Sequence, residues 1–455
     1  MFDPTNTLIL VSVLLVLVFS GIHIAVALGT TSTLGIYLMT GSIDPVMSFT
    51  ANTAYEALRD YVFAVIPLFM LMGEFLAKCG AASDLFTLIN RLTKWVPGRL
   101  GVATVLANAV FAFVTGVSIA AAAAFSKIAY PEMRRYGYER KFALGCIAGS
   151  ACLGMLIPPS VLMIVWGVLT EISIGKLFIA GIIPGFIVVT FYILYILWVA
   201  KTDPARVGEG AQLPEAQQQA RAGLQDATEP DLRAILWSTF GILALITLVL
   251  GGIWLGAFTP TEGAGVGATL SLLLALLRGM KPAEMLQAIL SVGRTSAPLL
   301  LLLVTAQLYS RVLSMTGLTG AAKDFFLASG LSPYAILALM VLVWFILGCI
   351  IDSISIILLT VPVFAPIAAA LGFDPIAFAI IGIIAIETGL LTPPFGILVF
   401  TVKAAVTDEK NLSPGEIFRG STAYWMALLA AIIALVAFPQ LATWLPNLGN
   451  AVAVK

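Results

Sequence analysis

The sequence reads as an all-α polytopic membrane protein of about ten transmembrane helices plus two re-entrant hairpins, set out as an inverted-topology repeat. Composition is the first reason. Of 455 residues, 60% are hydrophobic and 11% charged, with a mean hydropathy of +1.04, whereas soluble domains carry about 25% charged residues. An internal repeat is the second. The stretch Gly154-Met155-Leu156-Ile157-Pro158-Pro159-Ser160 returns 235 positions later as Gly389-Leu390-Leu391-Thr392-Pro393-Pro394-Phe395, and the same offset carries Pro131 onto Pro366, Gly137-Tyr138 onto Gly372-Phe373 and Ser118-Ile119 onto Ser353-Ile354. Charge asymmetry is the third. Arg91, Lys94 and Arg99 precede the stretch 100–130, and Arg134, Arg135, Arg140 and Lys141 follow it, while residues 325–401 around the equivalent stretch hold no Lys or Arg.

The charge balance excludes some classes of function. Lys and Arg equal Asp and Glu in number and form no basic tract, so nucleic acid is not a partner and no electrostatic membrane anchor is present. His23 is the only His, which leaves no material for a His-based metal site or catalytic triad and suits a helix-end or core role. Cys79, Cys146, Cys152 and Cys349 lie in apolar segments without metal-type spacing and read as core packing. The opening Met1-Phe2-Asp3-Pro4 lacks a basic region, so the first apolar segment reads as a retained helix.

In chain order, residues 1–200 form the first inverted repeat. Its opening apolar run, 4–43, accommodates two helices joined near residues 21–29. The hairpin spans 100–130, with its tip near Thr115-Gly116-Val117-Ser118, and its basic flanks place both its ends in the cytoplasm. A broken helix follows over 142–170. Residues 201–233, rich in Ala, Gln, Glu and Pro, form a cytoplasmic linker with a short surface helix over 215–224. The second repeat, 234–455, carries a hairpin over 334–367 and a broken helix over 375–402. An odd number of passes per half turns the second repeat upside down and puts both termini outside. The stretches 81–95 and 282–293 mix charges with Leu at helical spacing and are expected to lie along the interface, with Trp95 as an anchor. Thr259-Pro260-Thr261-Glu262 reads as a capped helix start.

The Pro pairs carry the chemistry. A Pro lacks the N–H that would bond the carbonyl four residues earlier, so Pro158 and Pro159 free the oxygens of Gly154 and Met155, and Pro393 and Pro394 those of Gly389 and Leu390. Free carbonyls in a low-dielectric setting suit a small hard cation, and the N-terminus of the following half-helix suits an anion. With the hydroxyls and glycines nearby they make a cage for Na⁺. Its candidate ligands are Thr115, Gly116, Ser118, Gly154 and Ile157 in the first repeat and Asp352, Ser353, Gly389 and Thr392 in the second. Thr115, Ser118, Ser150, Ser160, Ser353, Ser355 and Glu387 are the candidate substrate-binding groups. The competing reading makes the Pro pairs plain kinks, with the hydroxyls bonded back to their own helices. Asp352 has two open roles, cation ligand or helix N-cap. Glu387 is a proton carrier or a structural acceptor, and Cys152 stands at its equivalent position in the first repeat.

At these residues the sequence resembles the large membrane subunit of the tripartite ATP-independent periplasmic (TRAP) transporters. The resemblance runs through Pro131-Glu132-Met133-Arg134-Arg135-Tyr136-Gly137-Tyr138, the Gly154 to Ser160 stretch, Ile183-Pro184-Gly185, Thr259-Pro260-Thr261-Glu262, Asp352 with Pro362, and Thr392-Pro393-Pro394-Phe395-Gly396. Where the family's first hairpin usually reads Ser-Gly-Ser-Ser, this chain has Thr115-Gly116-Val117-Ser118, which removes a side-chain ligand at Val117. The resemblance implies an elevator-type ion-transporter fold and a Na⁺-coupled importer of organic acids in a bacterial or archaeal inner membrane. It also implies a small four-helix membrane subunit and a periplasmic substrate-binding protein as partners, with Na⁺ as coupling ion and no other cofactor. The rival reading is a self-sufficient Na⁺- or H⁺-coupled carrier of the divalent-anion type. An intramembrane enzyme would need a nucleophile–base pair or a metal site that the sequence does not offer.

Overall fold

A computed structural model describes residues 4–209, 232–407, 409 and 411–452. Among the described residues the chain is helical, apart from turns and one isolated antiparallel bridge between Tyr138 and Val207. Seven helices are long and apolar enough to cross a membrane, and shorter apolar helices such as Ile24–Thr40, Arg99–Thr115 and Pro333–Gly348 fall below that length. The chain is an all-α polytopic membrane protein.

The repeat register reappears in the helix boundaries. Ser118–Arg135 and Ser353–Ala370 begin and end at positions 235 apart, and Arg140–Ala151 and Pro375–Gly389 begin at the same offset. Gly137 and Gly372 both turn the chain with φ +82°, and Pro158-Pro159 and Pro393-Pro394 both contain a cis peptide bond. His23 takes the helix-end role, its Nδ1 accepting the Ala25 N–H at 3.3 Å. Thr259 and Glu262 form a reciprocal capping box at the start of Pro260–Leu277.

Two groups of helices emerge from the packing. Helices within 4–92 pack with those within 232–315, and helices within 99–202 pack with those within 333–452. Inside the second group the repeats exchange partners. The half-helix after the first break, Val161–Thr170, lies on the second hairpin's return arm, Ser353–Ala370, and the half-helix after the second break, Ile397–Ala405, lies on the first hairpin's return arm, Ser118–Arg135. From the same half-helix Trp166 also reaches two other second-repeat helices, edge-on to Trp344 of Pro333–Gly348 and Phe378 of Pro375–Gly389, with ring centroids 5.7 and 5.9 Å away. Helices Arg140–Ala151 and Pro414–Ala437 cross so closely that a Cβ on Gly145 would lie 2.1 Å from the Gly420 carbonyl carbon, the small-residue contact that lets membrane helices pack without a hydrophobic driving force.

Two expectations need correcting. The stretch 282–293 is not a separate interfacial helix but the start of one continuous helix, Pro282–Met315, because Pro298 is accommodated inside it. The companion stretch 81–95, by contrast, does form its own helix, Ala81–Leu92, which buries Ala82, Leu85, Phe86 and Leu88 on one face, with Trp95 84% exposed beyond its end. The linker also begins later than 201: Ile174–Thr202 runs through Lys201, and the next residues fold back on the first repeat. There the Arg206 Nε lies 2.6 Å from Glu139 Oε2, and Gly98 N–H donates to Glu209 Oε1 at 2.6 Å. The surface helix expected at 215–224 lies outside the described residues.

Candidate functional site

The first hairpin turns at Gly116. Its φ is +60°, and a Cβ there would lie 2.5 Å from the Pro159 carbonyl oxygen, so only glycine fits. Val161 N–H donates to the Gly116 carbonyl at 3.3 Å, which stitches the hairpin tip to the break. Gly154 and Ile157 lie buried in that break, and a Cβ on Gly154 would sit 3.0 Å from both Cα and N of Ser118. Ser160 caps the half-helix, accepting Met163 N–H at 3.5 Å and donating its own proton to the Met155 carbonyl. Residues 151–160 are all buried.

The second site is built from different parts. Ile351 stands where Gly116 does, and Asp352 caps the return arm, accepting Ser355 N–H at 3.0 Å and the Ser355 hydroxyl. Of the two roles open to Asp352, capping is the one its geometry performs. Thr392 donates its hydroxyl to the Gly389 carbonyl at 2.9 Å, and its oxygen lies 2.9 Å from Cys349 Sγ. Pro393, Pro394 and Phe395 are exposed.

The expectation that every carbonyl opposite a Pro stays free does not hold. Met155 takes the Ser160 hydroxyl, Gly389 takes Thr392 N–H at 3.0 Å, and Leu390 takes Leu398 N–H at 3.3 Å. Local hydroxyls and turn amides supply what the missing helical N–H groups do not. Among the described residues, the Gly154 oxygen takes no backbone donor.

The two hairpins meet at Glu387. Ser118 donates its hydroxyl to Glu387 Oε2 at 2.6 Å, and Ser353 donates to Oε1 at 3.0 Å. The Cys152 thiol lies 3.5 Å from the Glu387 carbonyl oxygen. Cys152 and Glu387 are equivalent positions, so the two repeats touch here through the same place in each. Glu387 is 1% exposed, and among the described residues no Lys or Arg pairs with it.

Other candidates point elsewhere. Thr115 bonds back to Phe111 at 3.2 Å. Ser150 accepts Asn108 Nδ2–H at 2.7 Å and donates to Cys146. Sequence reasoning missed Asn108, fully buried with an unpartnered Oδ1; a lone amide in the apolar run 100–126 was the available signal.

Open space lies further along the first return arm, away from the hairpin tips. A cavity of about 710 Å³ is lined by Ser126, Lys127 and Tyr130 of the first return arm and by Thr401 and Ala404 beyond the second break. At its rim Glu409 accepts the Tyr130 hydroxyl at 2.7 Å and pairs with Arg134 and Arg140 at 3.2 and 3.4 Å. The Tyr130 hydrogen bond, with these two guanidinium groups beside it, holds the Glu409 carboxyl below the ordinary carboxylate range. A separate cleft of about 540 Å³, lined by Glu56, Asp60, Glu171 and Arg311, lies between the two helix groups and away from the hairpin serines.

Residues 11–441 match the family described as tripartite ATP-independent periplasmic transporter, DctM component. The chain belongs to that family. Among similar proteins, the C4-dicarboxylate TRAP transporter large permease protein of Pseudomonas aeruginosa is 36% identical, over 92% of this chain and 94% of that one. The ectoine TRAP transporter large permease protein of Halomonas elongata is 27% identical, over 97% and 99%. The sialic acid TRAP transporter large permease protein of Vibrio cholerae is 26% identical, over 88% and 90%. Among solved structures, the YdaH transporter of Alcanivorax borkumensis aligns over 90% of both chains with a TM-score of 0.61 at 15% identity, a likeness of fold alone. This TRAP large permease is thus a transporter subunit and not an enzyme.

Proposed function

We propose that this chain is the large permease subunit of a Na⁺-coupled TRAP transporter that imports an organic acid across the inner membrane of a bacterium or archaeon. A periplasmic binding protein delivers the acid, and a small four-helix membrane subunit flanks the helices of 4–92 and 232–315. One observation supports this reading above the others. Two hairpin tips and two broken helices converge on a buried carboxylate with no basic partner among the described residues, a place where a cation is electrostatically favoured. The names of the relatives support a carboxylate or similarly small polar solute as cargo. The helices of 99–202 and 333–452 move as one body in an elevator motion, with the repeats inserted in opposite orientation.

Reconstitution tests the reading. Proteoliposomes holding this chain, the small subunit and a ligand-loaded binding protein should accumulate the acid under an inward Na⁺ gradient, while this chain alone should not. Uptake by the chain unaided supports the self-sufficient carrier instead, and uptake driven by a pH gradient without Na⁺ replaces the coupling ion.

A further inference from the structure

We infer that Glu387 is the shared positioning residue of both hairpin tips: it acts on bound cation through Ser118 and Ser353 rather than by touching cation or cargo. The two serines are equivalent positions, each the first residue of a return arm, Ser118–Arg135 and Ser353–Ala370. One carboxylate, supplied by the second repeat only, accepts both hydroxyls at 2.6 and 3.0 Å.

The chemistry follows from the direction of these bonds. A serine hydroxyl has one proton and two lone pairs. Once the proton is committed to a carboxylate oxygen, the lone pairs of that Oγ are left for another partner, and the nearby negative charge makes them better donors to a cation. An outer carboxylate orients a metal-ligating group in the same way. As the first residues of their arms, the two serines have no carbonyl of their own helix behind them to bond back to, unlike Thr115, which bonds Phe111 at 3.2 Å. Glu387 gives each of their hydroxyl protons a fixed partner. Cys152, its first-repeat equivalent, cannot substitute: a thiol is a weak partner and meets only the Glu387 backbone. So the two tips have one organiser rather than one each, and what loosens it loosens both.

The inference rests on cation coupling only for its role in transport, and hydrogen exchange tests the tie without reference to Na⁺. In the intact transporter, Glu387→Ala should speed amide exchange at both 116–122 and 351–357, by roughly tenfold or more. Ser118→Ala should loosen the first tip more than the second, and Ser353→Ala the reverse. Glu387→Gln is the conservative variant. Its amide keeps one acceptor oxygen but offers a donor on the other side, so one serine keeps its orientation and the other must turn round. One tip should stay protected and the other should not. In Na⁺ titrations of uptake, Glu387→Ala should raise the half-saturating Na⁺ roughly tenfold or more with a smaller change in maximal rate, and adding Ser118→Ala should change it little further. Exchange confined to 380–390 in Glu387→Ala, or wild-type protection of both tips, overturns the inference. Additive effects of Ser118→Ala and Glu387→Ala on half-saturation also overturn it. Uptake that ignores Na⁺ in the wild type overturns the coupling reading while leaving the exchange result to decide the tie.

Discussion

The two broken helices share a register and a Pro pair but are held by different means. The first is sealed. Its tip glycine packs against the Pro159 carbonyl, Ser160 caps the half-helix, and residues 151–160 are buried. The second closes on backbone too, with Leu398 N–H on the Leu390 carbonyl and Gly389 against Gly348, and adds side chains, Thr392 beside Cys349 and Asp352 on the return arm; yet its Phe395 is 57% exposed. The same Pro pair thus opens a helix at two depths: the first break is buried through residue 160, and the second reaches the surface at 393–395.

Labelling probes this contrast most widely. Ser160 and Phe395 are equivalent positions, one fully buried and the other exposed. In a background without the four native cysteines, Phe395→Cys should react with a maleimide at least about a hundredfold faster than Ser160→Cys, since thiol reactivity follows access. Comparable rates would remove the distinction between the breaks.

Glycine substitution sharpens it next. A Cβ on Gly389 would lie 2.5 Å from Gly348 Cα and 2.6 Å from the Phe345 oxygen, against 3.0 Å for the nearest atoms around Gly154. Both neighbours of Gly389 are backbone, so the hairpin arm itself must move. Gly389→Ala should cost about 3 kcal/mol and Gly154→Ala about 1 kcal/mol, within the range of overpacked cores. Thermal unfolding of the purified variants reports the order.

Hydroxyl removal separates function from stability. Thr392→Ala deletes an oxygen beside the Gly389 carbonyl, and a buried polar group of this kind is worth about 1–3 kcal/mol. The Na⁺ needed for half-maximal uptake should rise roughly five- to a hundredfold. Ser160→Ala should instead cost about 1 kcal/mol of stability as a lost cap, with Na⁺ half-saturation near the wild-type value.

The smallest effect concerns the tie between the first return arm and the loop beyond the second break. Glu409 is partly exposed, and a pair of this kind is worth at most about 1 kcal/mol. Its carboxyl lies below the ordinary range, so its contribution is present at neutral pH and lost as pH falls through that lowered value. Glu409→Gln should be slightly less stable than wild type at pH 7, and the difference should vanish in acid.

The sequence made the repeat legible because Pro and Gly leave marks that packing does not erase. Pro158-Pro159 and Gly137 announced features that recur at Pro393-Pro394 and Gly372. It could not show which hydroxyl faces which partner. Ser118 and Ser353 look alike to Ser150 in sequence, yet the first two reach Glu387 and the third bonds Asn108 and Cys146. For Ser118 that choice depends on two helices more than 200 residues apart in the chain being brought together, and for Ser353 on how its arm faces the next helix. Nor does the sequence show which prolines break a helix: the pairs at Pro158 and Pro393 do, whereas Pro298 is absorbed inside Pro282–Met315.

The cation reading of both breaks stands on the initial rate of uptake against external Na⁺ at fixed pH, in proteoliposomes with both partners present. The account predicts a saturable rise with Na⁺ that Thr392→Ala shifts to higher concentration. A wild-type rate that does not change with Na⁺, or one that follows an imposed pH gradient in its place, would contradict it.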